Sequence, residues 1–103
     1  MIELADYQGR PVRLTAERWR HILDHPELSD MEAAIELAVR EPQMVVRSRT
    51  DPSTWLYYRH EPKTVVGGKW LCVVIKYMDA DAFVLTAYLT DRPKKGDVVW
   101  RSE

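Results

Sequence analysis

The spacing of apolar residues changes once along this chain: it is helical as far as Pro42 and alternating beyond it. Before the change, Pro11 to Leu14 reads as a short strand leading into Thr15, whose hydroxyl can accept from a free amide of a first helical turn. A helix is predicted from Ala16, with Trp19, Ile22 and Leu23 on one stripe. It ends near His25, because Pro26 disfavours helical geometry in the residue before it. Ser29 and Glu32 have the spacing of a capping box, and Met31, Ala34, Ile35, Ala38 and Val39 continue at helical spacing until Glu41-Pro42 stops them.

Beyond Pro42, four runs rich in Val, Ile, Tyr, Trp and Thr read as strands: Met44 to Arg49, Thr54 to Glu61, Lys69 to Met78 and Ala82 to Thr90. Thr50-Asp51-Pro52-Ser53, Gly67-Gly68 and Asp79-Ala80-Asp81 supply the turns, and Val98 to Trp100 is predicted as a last edge strand. The expected architecture is therefore α+β, with two N-terminal helices packed on one face of a four- or five-stranded antiparallel sheet. Alternation predicts Leu71, Val73, Ile75 and Tyr77, with Phe83, Leu85, Ala87 and Leu89, on the helix side. It puts Lys76 and Thr86 on the other side, as diagonal neighbours if the hairpin closes about Ala80. In the Thr54 to Glu61 strand, polarity favours the Arg59 side as the exposed one.

A chain of 103 residues with 46% hydrophobic and 30% charged positions is expected to fold as one domain with its own core. The one cysteine, Cys72, lies in an apolar strand and reads as a small hydrophobe rather than a nucleophile. No basic stretch followed by an apolar run opens the sequence, and no segment approaches the roughly 20 apolar residues of a membrane span, so a cytoplasmic protein with no membrane contact is expected. The net charge of −1 hides an asymmetry, with nine acids and five bases up to Glu41 and seven acids and ten bases after it. A sheet formed by the second half can thus present a basic surface to phosphate, although a salt-bridged, solvated surface has the same composition.

Two constellations carry chemistry. His21 and His25, at i and i+4, project from one helical face near a helix C-terminus, where the dipole favours a charged imidazole. A metal site needs a third ligand, and Asp24 points elsewhere around the helix, so no metal is expected. The alternative role for His25 is to cap the helix end. Arg59, Lys76 and Thr86 form the second set: cleavage of RNA by its own 2′-hydroxyl needs proton transfer and donors or cations around the phosphorane-like transition state, and no cofactor. Tyr57, Tyr58 and Tyr88 can stack bases, and Arg47, Lys94 and Lys95 can touch a phosphate backbone.

The order of five short motifs resembles a known family. Trp19 to Glu27, a second helix closed by Glu41-Pro42, Tyr57-Tyr58-Arg59, Val73 to Lys76 and Phe83 to Tyr88 are together similar to the phage-associated nucleases of the barnase, EndoU, colicin and RelE-like (BECR) superfamily. The resemblance implies a RelE-like α+β fold and a metal-independent endoribonuclease, toxin- or effector-like, acting on tRNA or mRNA. It assigns the helix histidine to His21 or His25, the basic strand positions to Arg59 and Lys76, and the late hydroxyl to Thr86. It also implies an antitoxin or immunity protein as a partner. The alternative is a non-catalytic module that binds RNA or protein through the basic and aromatic sheet face, as a monomer or as a homodimer paired at an edge strand, Met44 to Arg49 or Val98 to Trp100.

Overall fold

The computed structural model describes residues 2–102. Among them the chain forms β1 (Ile2–Ala5), β2 (Pro11–Leu14), α1 (Ala16–Ile22), a 3-10 turn (Pro26–Leu28), α2 (Glu32–Arg40), β3 (Met44–Arg47), β4 (Thr54–Glu61), β5 (Lys69–Met78), β6 (Asp81–Thr90) and β7 (Asp97–Arg101). The strands make one seven-stranded sheet in the order β1-β2-β6-β5-β4-β3-β7. The sheet is mixed, because β2 runs parallel to β6 through the pair Arg13 and Phe83, while the other neighbours are antiparallel.

This corrects the expected architecture of two helices on a four- or five-stranded antiparallel sheet. The protein is mostly sheet, and its helices are short, with seven residues in α1 and nine in α2. The missed element is β1, which pairs with the expected Pro11 to Leu14 strand to make a first hairpin. With four residues β1 is too short for alternation to stand out, and its pairing with β2 depends on the turn between them. There the Asp6 carboxylate accepts from the amides of Gln8 and Arg10, each at 2.9 Å, and Gly9 takes the positive φ of 84° that side chains disfavour.

Local signals place the helix starts unevenly. Thr15 caps α1, its hydroxyl accepting from the amide of Arg18 at 3.1 Å. The helix stops at Ile22, and His25 is already extended (φ −99°, ψ 93°). Ser29 does not cap α2. It closes the 3-10 turn instead, its amide donating to the Pro26 carbonyl, and Met31 precedes the helix without a side-chain cap.

The two sheet faces differ sharply. One carries Leu14, Val45, Tyr57, Leu71, Val73, Ile75, Val84 and Ala87 against Ile22, Leu28, Ile35, Ala38 and Val39 of the helical layer, all of them buried. Phe83 and Leu85 were expected there too. The register between β5 and β6 shifts after the pair Val74 and Thr86, so that Ile75 faces Val84 and Leu85 is the extra, bulged residue. The bulge puts Ala82 and Val84 in the core and turns Phe83 to the opposite side, facing Lys76. It arises because the turn needs only Asp79 and Ala80 between Met78 and Asp81, one residue fewer than a loop centred on Ala80.

A polar chain ties the first hairpin to the core. Tyr57 donates its hydroxyl to Tyr77, and Tyr77 donates to Asp6 at 2.9 Å. Burial pushes both tyrosine pKa values well up, so both hydroxyls stay protonated as donors. Asp6 is 2% exposed, its remaining oxygen lone pairs are taken by Arg10, and the Arg10 guanidinium lies 4.6 Å over the Tyr77 ring. Asp6→Ala would take the acceptor from the half-buried Tyr77 hydroxyl, from two turn amides and from Arg10 at once, and we expect it to lower unfolding stability by about 3 kcal/mol. Tyr57→Phe, which removes one link only, should cost about 1 kcal/mol. Urea denaturation followed by tryptophan fluorescence measures both, and equal costs would contradict the hub role of Asp6.

Candidate functional site

The face away from the helices is built by alternation in four adjacent strands. Register places Thr54, Leu56, Tyr58 and His60 of β4 beside Lys76, Val74, Cys72 and Trp70 of β5, with Thr86, Tyr88 and Thr90 of β6 on the far side and Val46 of β3 on the near side. Val46, Tyr58 and Cys72 are buried there, although no helix covers them. What covers them is chain that the topology forces across the face. After β6 the polypeptide must reach β7 at the other end of the sheet, and residues 91–96 pass over β5, β4 and β3 as a strap.

Three contacts seat the strap. The Lys94 amide donates to the Tyr58 hydroxyl at 3.0 Å, the Arg49 guanidinium donates to the Gly96 carbonyl at 3.3 Å and to Asp97 at 3.1 Å, and the Lys69 ammonium pairs with Asp91. Gly96 lies so close to β3 that a Cβ would fall 2.4 Å from a Val46 methyl carbon, so only glycine lets the strap settle there. The Lys94 ammonium lies 5.6 Å from the centre of the Tyr88 ring.

Between strap and sheet a cleft of about 480 Å³ remains. Its floor is Val46, Leu56 and Val74, Thr54 and Thr86 supply hydroxyls, and Arg49, Lys94 and Lys95 stand at its rim. Lys94 and Lys95 make no ion pair among the described residues. The Thr54 hydroxyl is committed to Asp51 and the Arg49 guanidinium to Asp97, so the groups the cleft turns to an anion over its apolar base are the Thr86 hydroxyl and the Lys94 and Lys95 ammonium groups. The Tyr88 hydroxyl is buried next to the Tyr58 hydroxyl and the Cys72 thiol without a well-formed hydrogen bond to either. Burial raises its pKa, so it remains a donor, and burial pushes the Tyr58 hydroxyl up to about 12 and the Cys72 thiol up to about 11. Cys72 is therefore a protonated core thiol, as its apolar strand predicted.

Lys76 shares this face with Thr86 but is engaged. Its ammonium is 2.6 Å from Asp51 in the β3–β4 loop, and Asp51 also accepts from Ser53 and Thr54. The other expected site residues lie elsewhere. His21 is on the helical layer that covers the opposite face, its Nδ1 3.9 Å from Asp24, and His25 starts the 3-10 turn beside Val65 and Val66. Arg59 projects on the helix side, where its guanidinium donates at 2.6 Å to the Glu41 carbonyl just past α2. Arg47 stands opposite Trp55, also on the helix side, and Tyr57 is in the core. Polarity misled the reading of β4, because the Arg59 stem reaches past the core edge to end a helix. Of the expected residues, Thr86, Tyr88, Lys94 and Lys95 line the cleft, Lys76 and Tyr58 share its sheet face without lining it, and His21, His25, Arg59, Arg47 and Tyr57 lie elsewhere.

Sequence reasoning has His60 only as a residue interleaved with the β4 aromatics, and it missed Thr54 and Arg49. The parity of His60 with Tyr58 was a usable signal for its place, whereas Arg49 and Thr54 acquire their place only when the strap closes. A larger cavity of about 610 Å³ lies at the β5–β6 turn, but its two arginines are spoken for, Arg10 by Asp6 at 2.8 Å and Arg13 by Asp81 at 2.6 Å. Acids line it as well, so it offers little to an anion. Among the described residues no three His, Cys, Asp or Glu side chains gather in a way that could hold a metal ion, and no helix is long and apolar enough to cross a membrane.

Comparison with family models, with curated proteins and with solved structures returned no match.

The Lys76 pairing has a measurable signature. Hydrogen bonds from Lys76, then from Ser53 and Thr54, hold the Asp51 carboxyl well below its usual value. What this contributes to stability is present above the ordinary carboxylate pKa, about 3.9, and is lost as pH falls through the lowered folded value. In Lys76→Met, carboxyl NMR should show the Asp51 pKa moving up toward the ordinary value. An unmoved titration would mean that Lys76 is not held by Asp51 and is free to meet a ligand.

Proposed function

We propose that this protein acts on RNA from the face opposite its helices, as a metal-independent endoribonuclease whose scissile phosphate sits in the cleft between the strap and the sheet. The observation that carries the reading is the convergence of the Thr86 hydroxyl with the Lys94 and Lys95 ammonium groups around one cleft, beside an Arg49 held by Asp97. Hydroxyl donors and cations aimed at one point stabilise the charge that grows on phosphate as the 2′-oxygen attacks. In that step a bond forms from the 2′-oxygen to phosphorus and the bond to the 5′-oxygen breaks, leaving a 2′,3′-cyclic phosphate and a 5′-hydroxyl. A proton leaves the 2′-oxygen and one reaches the departing 5′-oxygen. The 2′-oxygen's proton can pass to water, and a lysine ammonium can protonate the departing oxygen; Lys94 and Lys95 are the cleft residues of that type. The motif order that resembles the BECR nucleases supports the same activity, including Thr86 at the late strand position.

A second reading, binding without cleavage, is favoured by one observation: no imidazole lines the cleft. One experiment separates the two. Purified protein is incubated with total RNA and tRNA in EDTA, and binding is followed in parallel by anisotropy on a 2′-O-methyl RNA that has no attacking hydroxyl. Cleavage by wild type and by His21→Ala/His25→Ala, with a loss of at least about 100-fold in Thr86→Ala and in Lys94→Ala/Lys95→Ala, is the expected result. Lys94→Arg/Lys95→Arg keeps the charge but holds a group that does not give up its proton, so it should bind and fail to cut. Cleavage lost with the histidines and kept in the cleft variants would overturn the site, and binding without any cleavage would establish the second reading.

A further inference from the structure

The face carries one aromatic pair that the cleft does not use. His60 and Trp70 are register partners at the other end of β4 and β5, with ring centroids 5.3 Å apart and planes at 76°. The imidazole is exposed and the indole half-buried against the strand floor. On one side of the His60 ring the chain is glycine, and a side chain at Gly68 would begin only 3.8 Å from the imidazole. Among the described residues no hydrogen bond or ion pair occupies either ring nitrogen of His60. The backbone amide of His60 is fixed by the Gln43 side chain at 2.6 Å, so the strand holds the ring in place without using its polar atoms.

Four residues separate Thr86 from Thr90 along β6, and the same interval separates Leu56 from His60 along β4. At about 3.3 Å per residue the pair stands about 13 Å from the centre of the cleft, on the same face. The strap runs between the two places, anchored on Tyr58, and carries the unpaired Lys94. The nearby acid Asp91 is neutralised by Lys69. An extended strand with a phosphate in the cleft would therefore cross the Lys94 charge and bring a flanking base over an exposed imidazole and an indole edge. A duplex, with its bases stacked inside, has no base to offer there.

We infer that His60 and Trp70 form a stacking subsite for a nucleobase flanking the phosphate in the cleft, which makes single-stranded RNA longer than one nucleotide the ligand of this face. This rests on the reading of the cleft as a phosphate site. Each stacked base contributes enough for about a tenfold gain in affinity or more.

The test compares uridine 3′-monophosphate with a 2′-O-methyl tetrauridylate and with the same tetramer annealed to its complement within a longer hairpin, using calorimetry on the intact chain. For wild type the single-stranded tetramer should bind at least about tenfold tighter than the mononucleotide, and the paired form should lose that gain. In His60→Ala and in Trp70→Ala the ratio of tetramer to mononucleotide affinity should collapse toward one, while Trp70→Phe, which keeps a stacking ring and guards against a folding defect, should retain most of it. A mononucleotide that binds and loses affinity in Thr86→Ala, together with a tetramer ratio unmoved by His60→Ala and Trp70→Ala, would overturn the subsite and leave the cleft reading standing. Failure of wild type to bind either ligand would overturn both.

Discussion

Residues 91–96 have to travel from the third strand of the sheet to the seventh, and the helices already occupy one of the two faces they could cross. The crossing on the other face is the constraint from which the site follows. It buries Tyr58, Val46 and Cys72 without a helix, it brings Lys94 and Lys95 over strands that lie far from them in sequence, and it converts an open sheet surface into a cleft. Its seating is specific: a hydrogen bond from the Lys94 amide to Tyr58, the Arg49 bridge to Gly96 and Asp97, and a contact at Gly96 that admits no Cβ. A strap that is pinned at both ends positions its side chains as a strand would, while its backbone stays outside the sheet ladder.

The two faces consequently divide the work. The helical face holds the apolar core and the Tyr57–Tyr77–Asp6 chain that locks the first hairpin onto it. The strap face keeps only a thin apolar floor, and above it stand hydroxyls and cations. Charge follows the same division, since the acidic N-terminal portion supplies both helices and the basic C-terminal portion supplies the strap and the strands beneath it. With Arg49, Lys69 and Lys76 each paired to an aspartate, the positive charge left over on the strap side is that of Lys94 and Lys95.

The strands β3 to β7 were legible because each is a run of β-branched and aromatic residues bounded by turn residues, and the alternation in β5 assigned Leu71, Val73 and Ile75 to the core correctly. Alternation failed where one residue changed the count. The Leu85 bulge reversed the sides of Phe83 and Val84 but left Thr86 opposite Val74, on the side expected for it. The Pro11 to Leu14 strand was legible before its helix cap, but β1 carried too little pattern, and the turn that pairs the two depends on side-chain bonds of Asp6. The expected grouping of histidines with Arg59 failed for a different reason. Residue type suggested chemistry, but the helix that carries His21 packs on the face from which Thr86 points away, and Arg59 ends a helix. The edges changed too: β3 lies between β4 and β7, so β7 is the edge strand of that half of the sheet.

The central claim is that ligand meets the strap face and not the helical layer. Titration of isotope-labelled protein with 2′-O-methyl tetrauridylate, followed by amide and methyl NMR shifts, tests it residue by residue. The largest shifts are expected at Thr54, Val74, Thr86 and along residues 94–96, with His21, His25 and Arg59 unmoved. Shifts concentrated on α1 and the His25–Val66 groove, with a silent strap, would contradict it.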